Sequence, residues 1–141
     1  MTSIAARTLF PGSASGEVIC LAQPLSFWGG FDPHTGLVMD RWHPDHGRIL
    51  AGKILVMSAG RGSSSSSTVL AEALRLGTAP AAFILTAADS ILLTGALIAS
   101  ALYAKACPMA VVSSEGWSMC TRHGTLRVQA DDTGTVISAP A

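Results

Sequence analysis

The sequence predicts an α/β domain, and three observations carry that expectation. Two short apolar runs, GKILVMS (52–58) and AAFILT (81–86), have the length and the bounding residues of buried strands. Each is followed by a helical pattern. TVLAEALRLG (68–77) puts Val69, Leu70, Ala73 and Leu74 on one face with Glu72 and Arg75 outside, and DSILLTGALIASALYA (89–104) follows the second run. Finally, GTLRVQA (124–130) and GTVIS (134–138) read as a hairpin joined by Asp-Asp-Thr-Gly.

The remaining elements follow in order. GEVICLAQPL (16–25) reads as a strand ended by Pro24, and GLVMDR (36–41) as another after the turn FDPHTG. Gly77 and Pro80 stop the first helix, and Asp89 or Ser90 caps the second. PMAVVS (108–113) is a further strand. No repeat or interdomain linker appears, so residues 1–141 are read as a single domain, with residues 1–15 expected to be loosely ordered.

Nine basic and nine acidic residues cancel, so the chain carries no electrostatic footprint for nucleic acid or an anionic membrane. Charged residues make up 13% of the chain, about half the usual share, and 49% is apolar. Part of that apolar excess is expected to lie under a partner subunit. The opening MTSIAARTLFPGSASG lacks the basic-then-apolar order of a signal peptide. Asp89 interrupts the apolar stretch 81–104, and the longer piece is too short for the roughly twenty residues of a membrane span. Cys20, Cys107 and Cys120 are odd in number with no CxxC, which fits small buried hydrophobes in a reduced, cytoplasmic setting and gives no metal site.

Two patches are unusual. The first is SAGRGSSSSSTVLAEAL (58–74), a serine run between a buried strand and a helix. There α/β folds expose the unpaired N–H groups of a first helical turn and build anion sites. Gly60 and Gly62 permit a tight turn and close approach, and Arg61 offers a fork suited to a carboxylate. The hydroxyls of Ser63 to Ser67 suit capping, substrate binding or proton movement. The loop has neither the GK[ST] of a P-loop nor the G-x-S-x-G of a nucleophile elbow. An anion-binding turn and a merely capped or flexible loop both remain open.

The second patch, residues 23–53, crowds aromatics, glycines, Asp-Pro and His-Pro turns and three histidines. His43 and His46 form an HxxH pair, but Pro44 and Asp45 between them argue for turn or interface residues over a metal helix. Phe27, Trp28 and Trp42 read as core or interface aromatics. Asp32 and Asp40 read as turn residues, with acid–base chemistry as the alternative.

Together, PLSFWGGFDPHTGLVMDRWHPDHGRILAGKIL and GRGSSSSSTVLAEALRLGTAPAAFILTAAD resemble the small subunit, or swivelling domain, of the aconitase X family, from about Gly16 to the end of the chain. The resemblance implies a swivelling β/β/α barrel-like domain. It also implies a hydro-lyase, working as a heterodimer with a large aconitase X subunit that carries the iron or iron–sulfur site; this chain alone is expected to bind no cofactor. GRGSSS is further similar to the Gly-x-Gly-Ser-Ser-Arg turn of aconitase and isopropylmalate isomerase swivelling domains. By position Ser63 becomes the proton acceptor, with Arg61, Gly62, Ser64, Ser65 and Ser67 around the substrate. Ser65 stands where those enzymes have an arginine, so carboxylate binding is expected to be shared with the partner.

The implied reaction takes a proton from the carbon beside a carboxylate and expels hydroxide from the next. A serine alkoxide needs a positive environment, and hydroxide departure wants a Lewis acid on the large subunit. The SFWGG and HPDHG wording resembles the bacterial type, which dehydrates the small hydroxy acid cis-3-hydroxy-L-proline to pyrroline-2-carboxylate. The alternatives are the small subunit of a mevalonate 5-phosphate dehydratase, or a non-catalytic binding or scaffold module docking through the aromatic loop. The chain length is read as that of a separate subunit.

Overall fold

The computed structural model describes residues 3–60 and 62–140. In chain order the elements are β1 (Ser3–Phe10), β2 (Gly12–Cys20), a single helical turn α1 (Phe27–Gly30), β3 (Phe31–Asp32), β4 (Leu37–Val38), β5 (Ile54–Val56), α2 (Ser66–Leu76), β6 (Ala82–Leu85), α3 (Ser90–Tyr103), β7 (Met109–Val111), α4 (Ser114–Cys120), β8 (Thr125–Asp131) and β9 (Gly134–Ser138).

Seven strands close into a barrel in the order β1-β7-β6-β5-β2-β8-β9. Strands β2, β5, β6 and β7 run parallel to their neighbours in that series, because α2 and α3 are the crossovers that β5-to-β6 and β6-to-β7 require. The remaining pairings are antiparallel, and β9 returns to β1 to complete the circuit. Strands β3 and β4 form a small separate hairpin.

Burial explains the unbroken apolar runs. Ile54 and Val56 of β5 and Ala82 and Ile84 of β6 point into the barrel, where they meet Val112, Cys120, Leu126, Val128 and Ile137. Their neighbours Leu55, Met57, Phe83 and Leu85 face outward under Leu70, Ala73, Leu74, Leu92, Ala96 and Ala99 of the helices. A strand covered on both faces loses its alternation. The terminal hairpin keeps it: Leu126, Val128 and Ala130 are buried while Thr125, Arg127 and Gln129 are exposed.

Helices α2 and α3 pack closely, since a Cβ on Gly95 would lie only 2.7 Å from the Ser67 carbonyl oxygen. The face predicted for α2 is the one buried, with Val69 partly covered at its margin. α3 presents Leu92, Gly95, Ala96 and Ala99 to the core but leaves Leu97 and Leu102 exposed. Among the described residues no helix is long and apolar enough to cross a membrane.

Three expectations are corrected. Residues 3–15 are not loose: they form β1, which pairs with β9 and β7, and the first half of β2, which pairs with β8. Their small alternating residues carry little strand signal alone, and barrel closure orders them. The strand expected at 36–41 shrinks to Leu37–Val38, and that at 16–25 ends at Cys20. Helix α4 is an addition to the elements read from sequence; the Ser113 hydroxyl caps it by accepting the Gly116 N–H at 3.1 Å.

Candidate functional site

The serine run is a tight lead-in to α2. The N–H groups of Ser66, Ser67 and Thr68 donate to the carbonyls of Ser63, Ser64 and Ser65 at 3.0, 3.2 and 3.1 Å. Hydroxyls repeat the pattern: Ser67 Oγ donates to the Ser64 carbonyl at 2.9 Å and Thr68 Oγ1 to that of Ser65 at 2.8 Å. Short hydroxyl side chains that fold back onto preceding carbonyls are what such a turn asks for. Much of the donor capacity at this helix end is therefore spent locally. The N–H groups of Ser63 and Ser64 find no acceptor among the described residues.

The five hydroxyls are not equivalent. Ser63 Oγ accepts the Ser65 N–H at 3.1 Å, so an amide donor already points at that oxygen. Ser66, 4% exposed, accepts the Trp28 N–H at 2.9 Å and fastens α1 to the first turn of α2. Ser65 is the N-cap residue of α2 but makes no side-chain cap bond. Gly62 has φ +97°, and a Cβ there would fall 2.5 Å from Ser26 Oγ, so both conformation and space demand glycine.

A cleft of 260 Å³ opens between the N-termini of α2 and α3. Gly60, Gly62, Ser63 and Ser66 line one side, Asp89 and Ser90 another, and Leu25, Phe27, Ile91 and Leu92 make it apolar. Phe27 is held from behind, its ring 4.8 Å from that of Phe31 and 5.7 Å from that of Phe83. Asp89 caps α3 by accepting the Ile91 and Leu92 N–H groups through Oδ1, both at 3.0 Å, and takes the Gly60 N–H through Oδ2 at 2.8 Å.

Of the residues read from sequence as the site, Gly62 and Ser63 line the cleft, whereas Ser64, Ser65 and Ser67 are not among its lining residues. Arg61 lies outside the described residues. Ser66, read from sequence only as one hydroxyl of the run, and Asp89 and Ser90, read only as caps, also line the cleft, and sequence reasoning missed the apolar wall. Helical phase held a clue to Ser66, which precedes Leu70 by four residues and so shares its buried face.

The aromatic loop divides by burial. Phe27 is core, while Trp28 is 58% and Trp42 93% exposed. Asp32 and Asp40 sit in Asx turns, accepting the His34 and Trp42 N–H groups, each at 2.9 Å. The His34 N–H and the Thr35 side chain hold the Asp32 carboxyl below the usual range, which makes it a weaker base. His43 Nδ1 accepts the Asp45 N–H at 3.0 Å, which leaves its proton on Nε2 to donate to the Gln23 carbonyl at 3.0 Å. Both ring nitrogens are thus used. Among the described residues no three His, Cys, Asp or Glu side chains converge as a metal site requires.

Comparison with known proteins places this architecture. The sequence pattern of the aconitase X swivel domain matches residues 3–138. This chain belongs to the aconitase X swivel-domain family. A cis-3-hydroxy-L-proline dehydratase of Pseudomonas aeruginosa is 48% identical over 107 residues, 76% of this chain and 18% of that protein. The chain therefore spans less than a fifth of that relative's length. A phosphomevalonate dehydratase small subunit of Methanothermobacter thermautotrophicus is 44% identical over 93 residues, 66% of this chain and 71% of that protein. The holo-form crystal structure of Thermococcus kodakaraensis aconitase X superposes with a TM-score of 0.79 at 35% identity, covering 99% of this chain and 100% of that one.

Proposed function

We propose that this chain is the swivelling small subunit of a cytoplasmic hydro-lyase that dehydrates a small hydroxy acid, with Ser63 as proton acceptor. The observation that carries the reading is the place of Ser63: it lines the cleft between two helix N-termini, with the Ser65 N–H directed at its oxygen. As an alkoxide Ser63 takes the proton from the carbon beside the substrate carboxylate. The Ser65 amide and the positive end of the eleven-residue helix α2 stabilise the negative oxygen before transfer. The Ser63 and Ser64 amides, which have no acceptor among the described residues, suit the substrate carboxylate, with Arg61 as a further donor.

Loss of hydroxide from the neighbouring carbon calls for an electrophile, which an iron or iron–sulfur site supplies when present. Among the described residues none fits such a group. Cys107 packs in the cluster beneath the helices and Cys120 inside the barrel. Burial pushes their thiols up to about 12 and about 11, away from the thiolate a metal needs. The electrophile is therefore assigned to the larger subunit, the partner in a heterodimer.

For the substrate we favour cis-3-hydroxy-L-proline, following the 48% identity to the Pseudomonas enzyme over 76% of this chain. A phosphorylated substrate is the second reading, favoured by the large share of the phosphomevalonate dehydratase small subunit that this chain covers. The test is co-expression with the larger subunit and assay of the purified complex. Pyrroline-2-carboxylate from cis-3-hydroxy-L-proline supports the first reading, and turnover of mevalonate 5-phosphate alone supports the second. A complex that dehydrates neither points to a non-catalytic scaffold.

A further inference from the structure

The backbone at Gly60 carries no side chain and is poorly fixed by its own preferences. What fixes it comes from the next strand–helix junction. The Thr86 and Ala87 N–H groups donate to the Ser58 carbonyl at 3.0 and 3.3 Å, and the Thr86 hydroxyl donates to it at 3.1 Å. The last rung is Asp89, whose Oδ2 takes the Gly60 N–H at 2.8 Å. That bond is not part of the helix cap, which Oδ1 completes with the Ile91 and Leu92 N–H groups. It reaches back 29 residues to the turn that carries Ser63. A Cβ on Gly60 would stand 2.6 Å from the same Oδ2, so Gly60 is bare where the carboxylate needs room.

We propose that Asp89 is a positioning residue for Ser63: its carboxylate couples the N-terminus of α3 to Gly60, three residues before Ser63, and holds the Ser63 oxygen in register with the cleft. The proposal rests on the reading of Ser63 as proton acceptor. One oxygen serves the helix and the other serves the turn, so the two walls of the cleft are locked through a single side chain. Displacement of a reacting group by about 1 Å costs about a hundredfold in rate, and a turn freed at Gly60 has that latitude.

Asp89→Asn separates the two duties. The carboxamide has one acceptor oxygen, which two helix N–H groups claim against one from Gly60, and its NH₂ group then faces the Gly60 N–H, donor against donor. Asparagine is as good an N-cap as aspartate, so the helix stays capped while the tether is cut. Asp89→Ser does the same by being too short to reach Gly60, and it guards against a local rearrangement around asparagine. In the complex with the larger subunit, both variants are expected to lose ten- to a hundredfold in kcat with KM changed less than threefold. In the chain itself, amide exchange at Gly60 should quicken at least tenfold while the thermal midpoint stays close to that of the parent.

Gly60→Ala attacks the same contact from the other side, so Asp89→Asn/Gly60→Ala should be no slower than the slower single variant. Parental kcat in Asp89→Asn and Asp89→Ser despite a freed Gly60 amide overturns the positioning role, as do losses that multiply in the double variant. An unchanged Gly60 amide overturns the tether itself. Full activity in Ser63→Ala strikes instead at the proton-acceptor reading, and a positioning role toward Ser63 falls with it.

Discussion

The Ser66 hydroxyl accepts the Trp28 N–H at 2.9 Å across 38 residues of chain. This bond ties the α1 turn, whose Phe27 forms part of the cleft wall, to the first residue of α2. In a run of five identical residues, Ser63 and Ser66 both line the cleft, but Ser66 is the buried one that holds the α1 turn in place.

Ser66→Ala should therefore weaken the fold more than any other alanine in the run. It leaves the Trp28 N–H against a methyl group, and an unmet, partly buried donor costs about 1–3 kcal/mol. Urea unfolding should show the loss as a lowered midpoint with an unchanged slope. A midpoint equal to that of Ser67→Ala would mean that the bond contributes nothing.

Ser63→Ala should do the reverse. It removes one hydroxyl and one bond to the Ser65 N–H, a loss of about 1 kcal/mol. Turnover in the complex should fall by about a hundredfold or more, the usual consequence of removing a general base. Ser67→Ala serves as comparison, since that hydroxyl is spent on the Ser64 carbonyl and should leave turnover nearly intact. The opposite ranking would move the proton acceptor along the run.

The legible parts of this fold are those whose signal is local. Strands β5 and β6 announce themselves by unbroken apolar runs, and the terminal hairpin by its alternation. The Asp89 cap is readable from its place before an apolar helix. Strand β1 is not, because Ser3, Ala5, Ala6 and Arg7 say little until β7 and β9 pair with them. The serine run places the site but cannot divide its labour, since identical residues differ only in the helical phase and long-range partners that the fold provides. The third bond of Asp89 is equally hidden: nothing near Asp89 in sequence points to Gly60.

Gly62→Ala should cost more than an ordinary glycine replacement. At φ +97° an L-residue is strained by about 1–2 kcal/mol, and the new methyl would also meet Ser26 Oγ at 2.5 Å. Gly124 is the control: it is exposed, and a methyl group added there would meet nothing within 4 Å, so its replacement should be neutral or slightly stabilising. Equal urea midpoints for the two variants would contradict this account of the turn.

Asp45 should make stability fall in acid. Burial alone would raise its carboxyl, but the Ala22 N–H and the Arg48 guanidinium outweigh it and hold the group below the ordinary value. A carboxylate whose folded value is depressed gives stability that is fully present above its unfolded value, near 3.8, and lost as pH drops through the folded one. Between pH 6 and pH 3 the urea midpoint of the parent should therefore fall further than that of Asp45→Asn, which has no such charge to lose. Parallel pH profiles would show that the Ala22–Asp45–Arg48 contacts do not discriminate between charged and neutral forms.

The chain alone should bind no iron. A cluster draws several thiolates from one folded site, whereas Cys107 and Cys120 lie in different cores and Cys20 sits half-buried on β2. Burial raises Cys20 as well, with the Asp45 charge adding to it and Arg48 opposing. At pH 8 iodoacetamide should modify Cys20 first, and should reach Cys107 and Cys120 only once urea unfolds the chain. Iron and dehydratase activity should appear together, on co-purification with the larger subunit. An isolated chain that carries stoichiometric iron through a desalting column, or dehydrates a hydroxy acid unaided, would place the whole active site in this domain and overturn the division between two subunits.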